Sequence, residues 1–395
     1  MRLPPPYDRM LAPVYVPSLL MSVSQEAALI LLPLHVLEIG GGAALAAVVV
    51  GLRGIGMLLF DVPAGLLAAR FGDKPLLAGG LAAMMAAMLV LAAAPGLWAV
   101  AIGALLLGVG NAAWMLGRQS YIAQVCASAE VGRAIAGMAG LQRVGTFIGP
   151  AAGGLVAASA GYAAAFAAGA ACGVVAGVFV LLFARDVTQP AAADTRLGAV
   201  GTVLRAHRRE FSTAGLAALA LQLMRATRQL LVPLFGRSIG LDPAAIGLLY
   251  SASAAIDMSL FYPVGVLVDR RGRKWSAVPS MTLFALGLAL LPLAQSFLGL
   301  LAVVMLLGLA NGLGTGIVMI IGADLASASG RRGQFLGVWR LIGDVGMSGA
   351  PLLAGALVQL SGLALASAAA AGIGLAGALV MLFLVTETLD LTEAR

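Results

Sequence analysis

Charge is scarce in this chain. Charged residues fill 10% of the 395 positions, and lysine occurs only twice, at Lys74 and Lys274. A soluble domain carries about 25% charge, so this composition cannot cover a water-facing surface. Histidine occurs twice (His35 and His207) and cysteine twice (Cys126 and Cys172). Two cysteines build no disulfide framework, and no spacing of His and Cys suggests a metal site. No Gly-Lys-Ser/Thr phosphate loop is present, which argues against ATP-driven work. Clustered His, Asp or Glu of the kind an enzyme needs are missing too. Neither a cofactor nor a metal nor a catalytic residue is expected, and the chain is not expected to be an enzyme. Aromatic residues, at 6%, are too sparse for a large aromatic drug cage.

What is present is apolar. Hydrophobic residues make up 61% of the chain, with 52 glycines and much alanine. Small residues let membrane helices approach closely without a hydrophobic driving force between them. At ~20 residues per crossing, the length accommodates about twelve helices. The expected spans are 14–36, 43–67, 76–94, 99–122, 134–159 and 163–183, then 213–236, 244–267, 276–294, 299–322, 336–360 and 363–385. The first is expected to be a retained span, because Gln25 and Glu26 interrupt it and it exceeds a cleaved signal's length.

The net charge of +7 is distributed for a membrane rather than for nucleic acid. Arg70, Lys74, Arg133, Arg270, Arg271, Arg273, Lys274, Arg331 and Arg332 fall on alternate connections. The intervening connections, such as Pro95-Gly96 and Ser361-Gly362, are tiny, and only the one at Arg237 carries a basic residue. The positive-inside rule places the basic side and both termini in the cytoplasm. The longest connection, Ala184 to Ser212, carries Arg185, Arg196, Arg205, Arg208 and Arg209. Leu197 to Phe211 suits a short amphipathic helix on anionic lipid; a solvated linker is an equal alternative.

The sequence also repeats at a spacing of 200 residues. Leu31-Leu32-Pro33-Leu34 reads against Leu231-Val232-Pro233-Leu234, Pro63 and Gly65 against Pro263 and Gly265, and Gly108 and Asn111 against Gly308 and Asn311. After one extra residue near 327–333 the register becomes 201, and Gly145, Pro150 and Gly154 meet Gly346, Pro351 and Gly355. Two similar membrane halves, 1–183 and 213–395 joined by linker 184–212, make a pseudo-two-fold body with a central seam. Secondary transporters are built this way and rock one half against the other.

Two motifs carry a resemblance. Gly265-Val-Leu-Val-Asp269-Arg270-Arg271-Gly272-Arg273-Lys274 resembles the loop motif of the major facilitator superfamily, G-x-L-x-D-R-x-G-R-K. Its glycines permit a tight turn, and Asp269 can cap a helix N-terminus and pair with a basic residue of a neighbouring loop. The first-half copy runs from Gly65 through Ala69, Arg70 and Gly72 to Asp73 and Lys74, with Ala69 in place of the family's acid. Gly145-x-x-x-Gly149-Pro150-x-x-Gly153-Gly154 resembles the motif of the superfamily's antiporter branch, the drug and metabolite exporters. It can also be plain helix packing. The basic residue followed by Gln-Gly found on helix 4 of many drug exporters is missing; Ala104 and Leu107 stand where its Arg and Gln would fall. The resemblance covers the whole chain. It implies an all-α integral membrane protein of twelve transmembrane helices in two pseudo-symmetric six-helix bundles, in a bacterial cytoplasmic membrane.

Ten ionisable residues fall within the spans: Glu26, Arg53, Asp61, Arg118, Arg143, Arg225, Arg228, Asp257, Arg340 and Asp344. Each costs about 2.5–3.5 kcal/mol at mid-span, so each needs a partner or water. Arg143 and Asp257 both lie ~14 Å from the cytoplasmic ends of their helices, and Asp61 and Arg340 both lie ~6–9 Å from theirs. In the resembled fold, helices 5 and 8 meet across the seam, as do helices 2 and 11. The two pairs are therefore expected to lock the halves on the cytoplasmic side, with Arg70, Asp269 and Arg273 as further gating residues. Static pairing within one half is the alternative.

Glu26 lies midway along helix 1, which lines the cavity in the superfamily. It is the first candidate for the coupling proton and Asp344 the second; a simple pair with Arg53 is the alternative. Arg225 and Arg228 share a face of helix 7, and with Arg118 they can make a basic cavity suited to an anionic group; the alternative is that Arg228 snorkels outward and Arg118 inward. Gln25, Asn111 and Asn311 are further candidate substrate contacts. The expected function is proton-coupled efflux of a small organic or amphipathic solute by alternating access. An importer or uniporter of a small metabolite and a lipid flippase are the alternatives. The expected partners are a small-molecule substrate, protons and membrane lipids, without nucleic acid, and the expected state is a monomer.

Overall fold

The structure, a computed structural model, describes residues 6–186, 198–327 and 332–388. Arg196, Leu197 and Arg331 lie outside the described residues. All regular structure among the described residues is helical. Nine helices there are long and apolar enough to cross a membrane. Two of the nine are each divided by a glycine in the left-handed region, at Gly161 (φ 86°) and Gly362 (φ 83°). These are the tiny connections expected between spans.

The long segments are α1 (Tyr7–Glu38), α2 (Ala43–Phe71), α3 (Asp73–Ala93), α4 (Leu97–Val125), α5 (residues 128–160) and α6 (162–183). The second series is α7 (Leu216–Ser238), α8 (Pro243–Arg271), α9 (Lys274–Leu293), α10 (Phe297–Ser327), α11 (332–361) and α12 (363–383). Most run a turn past their expected bounds at the basic ends, where charged residues continue the helix beyond the apolar stretch. α7 is not among the nine, because Gln222, Arg225, Arg228 and Gln229 give it a polar face. Both α1 and α7 are entered through a π turn, at Leu11–Tyr15 and Phe211–Gly215. The two turns match at no position, so the repeat there is one of backbone rather than of side chains.

The expected amphipathic linker helix is present as Gly198–Ala206. It leads into His207, whose ring meets Phe335 of α11 edge-on at 5.2 Å, while Phe211 stacks on the same ring at 4.7 Å.

The chain divides into two compact units. Unit 1 comprises Met1–Asp194 with Asp242–Ser251, and unit 2 comprises Thr195–Leu241 with Ala252–Arg395. Unit 1 is assembled on small residues. Along α5, Gly145 sits on Ser22, Gly149 on the Val23 carbonyl and Gly153 on Ala27, so α1 and α5 touch backbone to backbone. Gly154 faces the Pro243 carbonyl, and Gly247 of α8 faces the Pro150 carbonyl. Gly108 of α4 abuts the Arg53 backbone, and Gly56 of α2 abuts that of Leu105. The Ser251 hydroxyl enters the α5 ladder beside Pro150. It accepts from Ala151 N–H (3.1 Å) and donates to the Phe147 carbonyl (2.6 Å), bridging the i,i+4 pair at the bend. Unit 2 adds hydroxyl bonds to this kind of packing. Ser276 donates to the Leu313 carbonyl, Ser280 to Ala310 (2.6 Å) and Ser367 to Leu288 (2.5 Å), tying α9 to α10 and α12.

Candidate functional site

A polar cavity of about 110 Å³ lies inside unit 1, lined by Ser22, Gln25, Glu26, Asn111, Trp114, Met115, Arg118, Gln142 and Thr146. Two of its walls, α1 and α5, approach through the glycines of α5, and α4 supplies the third. Arg118 is 3% exposed. The Gln142 side-chain oxygen accepts from Arg118 Nη2 (2.8 Å) and Nη1 (3.3 Å), and the guanidinium lies 5.8 Å from the Trp114 ring centre. Arg118 makes no ion pair among the described residues, and its Nε has no hydrogen-bond partner. An arginine has five N–H donors, and Gln142 occupies two of them. A buried cation held by a neutral amide is poorly compensated. An entering anion would therefore be bound strongly.

Across the same cavity, Thr146 Oγ1 lies 3.3 Å from Glu26 Oε1 and 3.1 Å from the Gln142 carbonyl. A hydroxyl has one proton to donate and lone pairs to accept with. When Glu26 is ionised, Thr146 donates to it. When Glu26 is protonated, the carboxylic acid can donate to Thr146, whose own proton turns to the Gln142 carbonyl. The position thus accepts both charge states without movement of the backbone. Arg53 of α2 lies within Coulombic reach of Glu26. Ser22 donates to the same Gln142 carbonyl at 2.8 Å.

Four expected residues, Gln25, Glu26, Asn111 and Arg118, are thus gathered in one cavity. The sequence reading passed over Gln142, Thr146 and Trp114, because a lone Gln, Thr or Trp in an apolar helix carries no pattern of its own.

In unit 2, α10 is interrupted at residues 314–316, with Gly316 at φ 72°. Arg225 of α7 donates to the Gly314 carbonyl at the break (2.7 Å), which also accepts a long bond from Ile317 N–H (3.4 Å), and to Gln222 Oε1 (2.9 Å). Thr315 Oγ1 is 3.0 Å from Asp257 Oδ1 and 3.1 Å from the Asn311 carbonyl. Arg228 donates to Ser253 Oγ at 2.6 Å. Arg340 and Asp344 are 3.6 Å apart, one turn along α11. The break was legible as Gly312-Leu-Gly314-Thr315-Gly316, and the sequence reading passed over it.

The two motif loops differ. In unit 2, Arg273 pairs with Asp269 (3.6 Å) and with Asp324 (2.9 Å). The first N–H groups of α9, those of Arg273 and Lys274, are received by Glu387 at 2.8 and 3.1 Å. The helix N-terminus assigned to Asp269 is therefore covered by Glu387; Asp269 itself lies in the last turn of α8, where no free N–H points at it. In unit 1, Lys74 meets Asp186 at 3.8 Å, Asp73 is buried, and Arg70 lies on the Phe71 ring at 5.2 Å. Arg143 and Asp61 belong to unit 1, and each has interactions of its own.

Comparison with known proteins agrees with this architecture. The Major Facilitator Superfamily profile matches residues 15–225 and 214–394. The chain is 23% identical to the multidrug resistance protein MdtH of Klebsiella pneumoniae over 313 residues, 77% of this chain and 75% of that protein. It is 37% identical to the inner membrane transport protein YajR of Escherichia coli over 71 residues, which span 18% of this chain and 16% of YajR. Among solved structures, a POT family transporter in complex with a thioalcohol-conjugated peptide superposes with a TM-score of 0.80 at 10% identity, covering 95% of each chain. The nucleoside transporter NupG superposes with a TM-score of 0.78 at 15% identity, covering 94% of this chain and 98% of that one.

Proposed function

This chain belongs to the Major Facilitator Superfamily, a family of transporters rather than enzymes, and on that premise we propose that it is a proton-coupled exporter of a small organic solute bearing an anionic group. One observation carries the reading: an arginine without an ion-pair partner and a carboxyl able to hold either charge state share the unit 1 cavity. In this reading Arg118 holds the anionic group, Gln25 and Asn111 contact the solute, and Glu26 carries the proton. Arg225, Arg228 and Asn311 contribute from unit 2, and Asp344 is the second proton site.

The protein makes twelve crossings of the cytoplasmic membrane with both termini inside, and works as a monomer from halves 1–183 and 213–395. The multidrug relative supports export, and so do the glycines of α5. Arg143 with Asp257, and Asp61 with Arg340, are proposed as locks between the halves, with Arg70, Asp269 and Arg273 at the gate. Spin-label distances in the Asp257→Ala and Asp61→Ala variants test them, and unchanged distributions would refute the locks.

The test of the main reading has two stages. Thermal shifts of the purified protein against organic anions, cations and neutral solutes identify the ligand class. Anions are expected to stabilise the parent and to lose that effect in Arg118→Gln. Proteoliposomes with an imposed pH gradient then test Glu26→Gln, which should bind ligand yet show no gradient-driven flux. Stabilisation by cations alone, or full gradient-driven flux in Glu26→Gln, would overturn the proposal.

A further inference from the structure

Unit 1 carries a second cavity, unlike the first. It is an apolar groove of about 230 Å³ between α2, α3 and α4, with Phe60, Leu67, Phe71, Gly79, Val109 and Ala113 among its walls. Phe71 and Gly79 are solvent-accessible in the isolated chain, so the groove opens on the outer surface of the unit. The open side is maintained by Gly79, where a side chain would meet nothing within 4 Å.

Two features identify an occupant. The first is length. From Phe60 to Phe71 the groove follows α2 for about 16 Å, close to the ~15 Å that one leaflet contributes to a 30 Å hydrocarbon core. The second is charge. Arg70 is exposed at the end of the groove, with its guanidinium 5.2 Å from the ring of Phe71, a wall residue. Arg70 makes no ion pair among the described residues. The neighbouring motif position 69 is alanine, where its counterpart Asp269 carries a carboxylate paired with Arg273.

Unit 2 carries bulkier residues at the corresponding positions. The counterparts of Pro75, Gly79 and Ala83 are Trp275, Pro279 and Leu283. Arg271 lies on the Trp275 ring at 5.6 Å, and Ser276 and Ser280 tie α9 to α10.

We propose that the α2–α3–α4 groove is a binding site for one acyl chain of an anionic phospholipid, whose headgroup phosphate is held by Arg70. A chain in the groove fills space that bulk lipid would otherwise contact poorly, and the phosphate supplies an ion-pair partner for Arg70. The bound lipid would brace α2 against α3 in unit 1.

Native mass spectrometry of the full chain tests this, in micelles with equal amounts of phosphatidylglycerol and phosphatidylethanolamine of identical acyl chains. The parent is expected to retain one phosphatidylglycerol in preference to phosphatidylethanolamine. Gly79→Leu should remove the retained lipid. Arg70→Gln should keep a lipid but lower the preference about five-fold, the weight of one basic residue at an anionic surface. Thermal unfolding without added lipid checks that Gly79→Leu is folded; if it is not, Arg70→Gln decides alone, because that side chain is exposed. No retained lipid in the parent, or an unchanged preference in Arg70→Gln, would overturn the proposal. So would equal retention by a folded Gly79→Leu. A dimer peak abolished by Gly79→Leu would also overturn it, by assigning the groove to a second copy.

Discussion

α4 and α10 stand 200 residues apart in the repeat, yet they meet an intramembrane arginine in opposite ways. α4 is continuous and presents its own Arg118 to a polar cavity, where a neutral amide holds it. α10 is broken at residues 314–316, and Arg225 of a neighbouring helix donates to the carbonyl that the break exposes. In unit 1 the protein has left a cation to be satisfied by something else. In unit 2 a cation satisfies the backbone. The lesson is that two arginines within spans are not equivalent evidence for substrate binding. The partner of the guanidinium decides, and only the fold supplies it.

The largest effect that sharpens this contrast is on ligand binding. Arg118→Leu should weaken binding of an anionic ligand by 100-fold or more, on the order of 2–5 kcal/mol for a buried charge partner, with little loss of thermal stability. Arg225→Leu should cost less affinity and more stability: it leaves the Gly314 carbonyl with only the long bond from Ile317 N–H (3.4 Å), at a cost of about 1–3 kcal/mol, and lowers the unfolding temperature. Equal ligand affinities in the two variants would break the comparison.

A second test sets the glycines of the two units side by side. A Cβ at Gly149 would stand 2.5 Å from the Val23 carbonyl, whereas one at Gly349 would meet nothing within 4 Å. Gly149→Ala should therefore lower stability by about 1–3 kcal/mol through overpacking of α1 on α5. Gly349→Ala should leave the unfolding temperature unchanged or slightly raised, since alanine favours the helix. The pair is read by thermal unfolding in one detergent.

The break itself gives a smaller effect. Gly316 has φ 72°, where a side chain is strained, so Gly316→Ala should cost about 1–2 kcal/mol. A neutral result would mean that α10 can close its gap without penalty.

The smallest difference concerns the motif loops. Glu387 receives two N–H groups at the start of α9, and Glu387→Ala should cost about 0.5–2 kcal/mol, as loss of a helix cap does. Its repeat counterpart Asp186 is mostly exposed and meets Lys74 at 3.8 Å, so Asp186→Ala should not shift the unfolding temperature measurably. Equal shifts would show that the two loops are closer in kind than their contacts suggest.

Much of the architecture was legible because lipid imposes it. Apolar runs, alternating basic connections and the 200-residue repeat specify helices and their order, since backbone in hydrocarbon has few other forms. Glu26 was legible as a site residue because a carboxyl in an apolar run has a cost that must be met. Gln25, Asn111 and Arg118 were singled out, but their convergence with Glu26 was not foreseen. Gln142 and Thr146 escaped notice, since neither carries a charge whose cost would draw attention. Glu387 was missed because its role depends on the tail returning to a loop more than a hundred residues earlier in the chain.

The sequence by itself determined that this chain spans a membrane as helices in two related halves, because periodic hydropathy and repeated glycines are local properties. Only the tertiary structure decided which intramembrane charges are satisfied by the protein and which await a ligand. That depends on distances of a few ångströms between helices far apart in sequence, and single-residue differences such as Ala69 against Asp269 change the local charge while leaving the helix packing intact.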